Sequence, residues 1–97
     1  MGTARRLLDE KRDEILRLAA LHGAGQVRVF GSVARGDDGP DSDIDLLVLP
    51  SERCGLIEMI AFKQGVEALT GRTVDVVSER ALHRLIREQI LSEAKPL

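Results

Sequence analysis

Apolar residues along this chain follow two different repeats, and the switches between them mark out its elements. From residue 4 to about 22, Leu7, Leu8, Ile15, Leu18 and Ala19 fall on one broad side of a helix, with Asp9, Asp13 and Arg17 opposite. Lys11 and Arg12 interrupt the apolar side, so their aliphatic stems are expected to run along its edge with the charges in water. Gly23 and Gly25 end this helix. A strand is predicted over Gln26 to Phe30, then a short helix opening at Gly31-Ser32, then a loop from Gly36 to Ser42 containing the turn pair Gly39-Pro40. A second strand runs from Asp43 to Leu49 and stops at Pro50. The next helix covers roughly residues 55–70, because Met59, Phe62, Val66 and Leu69 recur at spacings of three and four before Gly71. Gly65 inside it costs about 1 kcal/mol relative to alanine. A third strand is predicted over Thr73 to Val77. A last helix, N-capped by Ser78, is expected to bury Leu82, Leu85, Ile86 and Ile90.

Helices and strands alternating in this order predict an α/β fold, a small sheet with helices packed on it. The pattern alone does not give the strand order. Ninety-seven residues suffice for one modest core, so residues 1–97 are expected to form one domain. No apolar run approaches the ~18 residues of a membrane span, and the charged N-terminus is unlike a signal peptide. A cytoplasmic location is therefore expected, with no membrane partner. The single Cys54 has no partner for an internal disulfide, and no Cys/His cluster resembles a zinc site. His22, at a helix end, and His83, on a helix flank, are expected in solvent, and Cys54 in a loop. The net charge is −2, with five carboxylates between Asp37 and Asp45. That distribution argues against direct nucleic-acid binding, which favours a basic face. Only Phe30 and Phe62 could stack on a base.

The chemistry concentrates in VRVFGSVARGDDGPDSDIDLLVL, residues 27–49. Asp43 and Asp45 are separated by one residue on a strand, so they share a face roughly 6.5–7 Å apart along the backbone. Like charges ~4 Å apart at an effective dielectric of about 20 repel by roughly 4 kcal/mol. A pair of this kind persists where a cation neutralises it or where it titrates for chemistry, and hard oxygen ligands beside a phosphate suit magnesium. A polar strand end with surface carboxylates is the plain alternative. Gly31 permits a sharp turn with backbone N–H groups close to a ligand. Ser32 adds a hydroxyl, and can equally serve as an N-cap. Arg35 could bind phosphate in a bidentate manner or pair with Asp37, Asp38 or Asp41. Gly31 and Gly36 have the spacing of a P-loop, but Asp37-Asp38 stand where that motif needs Lys-Ser/Thr, so the P-loop reading fails. Asp75, among Val74, Val76 and Val77, is expected to have buried neighbours and hence a partner, the alternative being an exposed residue on an edge strand.

Gly31-Ser32, ten residues, then Asp43-Ile44-Asp45, with Ala34-Arg35-Gly36 after the turn, resembles the minimal nucleotidyltransferases of the DNA polymerase beta superfamily. Asp75 fits that family's third acidic residue on a later strand, and the resemblance spans nearly the whole chain. It implies the mixed-sheet palm of that superfamily. It implies that Asp43, Asp45 and Asp75 are catalytic and hold Mg2+, as two ions, and that Gly31, Ser32 and Arg35 bind the phosphates of ATP. Such proteins are typically antitoxins paired with a HEPN-type ribonuclease toxin, so the resemblance further implies transfer of AMP to that toxin on a tyrosine. Val33 stands where many relatives carry a basic residue. A non-catalytic antitoxin that binds its toxin stoichiometrically is the second reading. A small-molecule nucleotidyltransferase ranks last, since such enzymes need an added substrate domain.

Overall fold

The computed structural model describes residues 3–97. The elements are α1 (Thr3–Glu10), α2 (Arg12–His22), β1 (Ala24–Phe30), α3 (Gly31–Arg35), β2 (Ile44–Pro50), α4 (Leu56–Thr70) and β3 (Val74–Ser78). A short 3-10 helix (Glu79–Ala81), α5 (Arg84–Glu93) and β4 (Lys95–Pro96) complete them. The strands form one mixed sheet in the order β3-β2-β1-β4. β1 is antiparallel to β2 and β4, and β2 is parallel to β3.

The single helix expected over residues 4–22 is broken at Lys11 into α1 and α2. Backbone bonds still cross the junction, from Lys11 N–H to Leu7 O and from Ile15 N–H to Lys11 O. Helical phase therefore survives, and Ala4, Leu8, Ile15 and Ala19 are buried on one side. α2 ends at Gly23, whereas Gly25 belongs to β1. Register shifts between Gly25 and Arg28, and Gln26 adopts a φ of 47°, the mark of a bulge. The bulge is why β1 begins earlier than its hydrophobic alternation predicts.

The core lies between α2, α4 and one face of the sheet. Ile44, Leu46 and Val48 of β2 meet Ile15, Ala19, Phe62, Val66 and Val74 there. Gly65 has a reason to be glycine: a Cβ at that position would lie 2.8 Å from Leu18 Cδ1. Close approach of α2 and α4 thus offsets the helix-propensity cost of Gly65.

The last helix departs from expectation. Ser78 caps the 3-10 helix by accepting from Arg80 N–H, and His83 caps α5 by accepting from Leu85 N–H. No residue of α5 is buried, and Leu85 is 80% exposed. Its apolar residues repeat helically, yet Leu85 and Ile86 stay exposed. His22 is half-buried, its Nδ1 2.7 Å from Glu58 Oε2, because the first turn of α4 packs over the end of α2. Cys54 is buried, and burial pushes its thiol above the usual range, so it is a poor nucleophile.

Candidate active site

Strand pairing brings residues far apart in sequence into one row. Phe30 of β1 stands opposite Asp45 of β2, and Asp45 stands opposite Asp75 of β3. Neighbouring strands lie about 4.8 Å apart, so the two carboxylates are on adjacent strands of one face. That face follows from alternation: Ile44, Leu46 and Val48 point into the core, which turns Asp45 away from it. Asp43 lies just before β2, so the expected strand start moves by one residue, and its side chain is exposed. Asp45 is half-buried and Asp75 exposed on the edge strand. The buried surroundings expected for Asp75 are therefore not found. Val74 and Val76 alternate to the core side, leaving Asp75 and the half-buried Val77 on the other.

Burial is the main cause that raises the Asp45 carboxyl above the usual carboxylate range, followed by the charges of Asp75 and then Asp43. The charges of Asp75 and Asp43 thus act on Asp45 near the start of β2. A cation there would reverse the effect and hold Asp45 ionised.

Gly31 closes the other side of the row. It opens α3 with a φ of 74°, and a Cβ there would overlap Asp45 Oδ2. Turn and carboxylate are thus in contact. Ser32 is the second residue of α3 and not its cap, a place taken by Phe30 without a side-chain bond. Arg35 is exposed; its Nε donates to Asp37 Oδ2 at 3.3 Å and its Nη1 to Glu93 Oε1 at 3.0 Å. Asp37, then Glu93, hold its guanidinium protonated more firmly than usual. Asp38 instead accepts from Ala4 N–H at 3.1 Å, tying the α3 loop to α1.

Residues outside the motif position it. Arg72 Nη2 donates to Ser42 O at 2.5 Å and to Gly39 O at 3.2 Å, pinning the loop that delivers Asp43. Glu67 accepts from Val74 N–H at 3.0 Å and from Lys63 Nζ at 3.1 Å, fixing the strand start just before Asp75. Those contacts hold the Glu67 carboxyl below its usual range, the Val74 N–H being the largest cause. Glu93, at the end of α5, accepts from Gly31 N–H at 2.5 Å. None of the three carries a sequence signal, since each is one polar residue after or within a helix.

Among the described residues, no group of three or more His, Cys, Asp or Glu side chains is gathered closely enough to hold a metal ion. The backbone nonetheless sets Asp43, Asp45 and Asp75 at one end of two adjacent strands.

Comparison with known proteins decides the family. Residues 8–97 match the nucleotidyltransferase domain. The chain belongs to that family. A candidate protein adenylyltransferase of Methanocaldococcus jannaschii is 33% identical over 87 residues, covering 90% of this chain and 94% of the relative. The protein adenylyltransferase MntA of Thermococcus cleftensis is 38% identical over 71 residues, 73% of this chain and 72% of that protein. A solved candidate minimal nucleotidyltransferase superposes with a TM-score of 0.89 at 48% identity, covering 98% of this chain and 97% of the other. A complex of a tri-AMPylated Shewanella oneidensis HEPN toxin with its MNT antitoxin shares the fold, with a TM-score of 0.67 at 22% identity over 95% of this chain and 70% of that one. No helix among the described residues is long and apolar enough to cross a membrane.

Proposed function

We propose that this nucleotidyltransferase is an antitoxin that transfers AMP from ATP to a tyrosine of a HEPN ribonuclease toxin and so silences it. The observation that carries the reading is the contact of the Gly31 turn with Asp45, in register with Asp75. Relatives named as protein adenylyltransferases support the choice of a protein acceptor.

The donor types suit magnesium, since Asp43, Asp45 and Asp75 are hard oxygen ligands beside a glycine turn. Their side chains are not gathered, however, and would have to close in on an ion. When bound, two ions would neutralise the triphosphate and stabilise charge on the attacking and leaving oxygens. Asp43 and Asp45 would hold the ion that carries the phosphates, and Asp75 would help hold the one beside the acceptor hydroxyl. The protein's own part is placement. Gly31 and Ser32 orient the outer phosphates, so that pyrophosphate leaves from the α-phosphorus as the tyrosine oxygen attacks it. Arg35 supplies positive charge at the rim, where developing charge on the phosphates needs it.

The radiolabel test is direct. With toxin and magnesium present, label from α-phosphate-labelled ATP should stay on the toxin and label from γ-phosphate-labelled ATP should not. Retention of γ label would mean phosphorylation, and retention of neither would remove the enzymatic reading. Exposed Leu56 and Ile57 on α4, and Leu85 on α5, favour the second reading, stoichiometric binding through apolar helix surfaces. Protection from the toxin with neither label retained would select it.

A further inference from the structure

The donors proposed to hold the nucleotide are already engaged by a carboxylate of this chain. Glu93 Oε1 accepts from Gly31 N–H at 2.5 Å and from Arg35 Nη1 at 3.0 Å, so one oxygen bridges the backbone and the cation of the turn. Its side chain is 22% exposed.

Glu93 is poorly placed for its own helix. It is the last residue of α5, where the carbonyl end of a helix disfavours negative charge. Nor does α5 bury any residue that would fix its position. The Arg87–Glu79 pair and the C-terminal tail fix it instead: Lys95 and Pro96 pair with Val29 and Arg28, and Arg12 Nε donates to Leu97 O at 2.6 Å. This tail, clamped beside β1, carries Glu93 to the end of that strand, where the turn begins. Glu93 lies close enough to Asp45 for its charge to disfavour ionisation there.

We propose that Glu93 is an internal stand-in for a nucleotide phosphate, a plug that occupies the Gly31–Arg35 turn until a triphosphate displaces it. This rests on the reading of that turn as the phosphate site. A carboxylate oxygen and a phosphate oxygen accept the same two bonds, and two anions cannot share them. Binding of ATP therefore requires the Glu93 side chain to swing out, and its charge opposes entry of the triphosphate. A purely structural brace has the opposite signature, because removing it would loosen the turn and weaken binding.

The test is calorimetric titration of magnesium ATP into the full chain, as wild type, Glu93→Gln and Glu93→Ala. Glu93→Gln keeps size and fold while removing the charge, so it carries the test even where Glu93→Ala folds poorly. A charge-assisted bond corresponds to about a tenfold change in affinity, so binding should tighten roughly tenfold in Glu93→Gln. In Glu93→Ala it should tighten at least as much. In parallel, the Gly31 amide resonance should move in Glu93→Ala without nucleotide, and an unmoved resonance overturns the contact. Equal or weaker ATP binding by both variants overturns the plug and leaves the nucleotide site standing. No ATP binding by any of the three proteins removes both.

Discussion

A single methyl group on Gly31 would meet Asp45 Oδ2, and the backbone there has a φ of 74° that side chains rarely adopt. Gly31→Ala should therefore cost at least about 1–2 kcal/mol of stability from the left-handed backbone alone. It should also abolish nucleotide transfer by pushing Asp45 aside. Thermal melting and transfer to the toxin check both effects; wild-type stability with wild-type transfer would show that turn and carboxylate are independent. The residue pattern was legible here because glycine turn and paired aspartates lie on consecutive elements, ten residues apart. Asp75 was harder. Its sequence neighbours are apolar, but alternation sends Val74 and Val76 to one face and Asp75 to the other. Its pairing with Asp45 depends on the parallel register of β2 and β3, a non-local property that no spacing encodes.

At the scale of elements, the clamps are ion pairs and side chain–backbone bonds across breaks in the sheet. Arg72→Ala should free the loop that carries Asp43 while leaving the core intact. Misplacement by about 1 Å can cost on the order of a hundredfold in rate, so kcat should fall far more than thermal stability does. Unchanged kcat would show that Asp43 finds its place without the clamp. Glu79 joins the 3-10 helix to β1 and α5 through Arg28 Nη2 at 2.5 Å and Arg87 Nη2 at 3.4 Å. The Arg28 bond is the largest cause that depresses its carboxyl below the usual range. A depressed carboxyl stabilises the fold above its unfolded pKa, and that stabilisation is lost as pH falls through the folded value. Melting temperature should therefore fall more steeply in wild type than in Glu79→Gln as pH drops below about 4.5, the ordinary range of a free glutamate. Parallel curves would assign the acid sensitivity to other groups.

Helices α2 and α4 were legible because their apolar stripes meet the sheet. Helix α5 was legible as a helix but not in its burial, since Leu85 and Ile86 show the same periodicity and stay exposed. Periodicity reports a face, and whether anything covers it depends on tertiary packing that the repeat does not encode. The break at Lys11 was hidden for the opposite reason: helical phase continues across it.

At the scale of the whole molecule, three strands and a glycine turn set Gly31, Asp45 and Asp75 in one row at the proposed site, and helix surfaces elsewhere carry exposed apolar residues. Both proposed functions use this architecture, one through the site and one through the helices. Asp43→Asn separates them. Asp43 is exposed and lies outside the core, so the variant keeps its fold while losing a charge and a proposed magnesium ligand. The measurement is the intact mass of the toxin, purified from cells that co-express it, together with growth of those cells. With the wild-type chain the toxin should gain the mass of one or more AMP groups and the cells should grow. With Asp43→Asn the toxin should keep its unmodified mass and growth should fail. Full protection by Asp43→Asn, with the toxin unmodified, would contradict the enzymatic account.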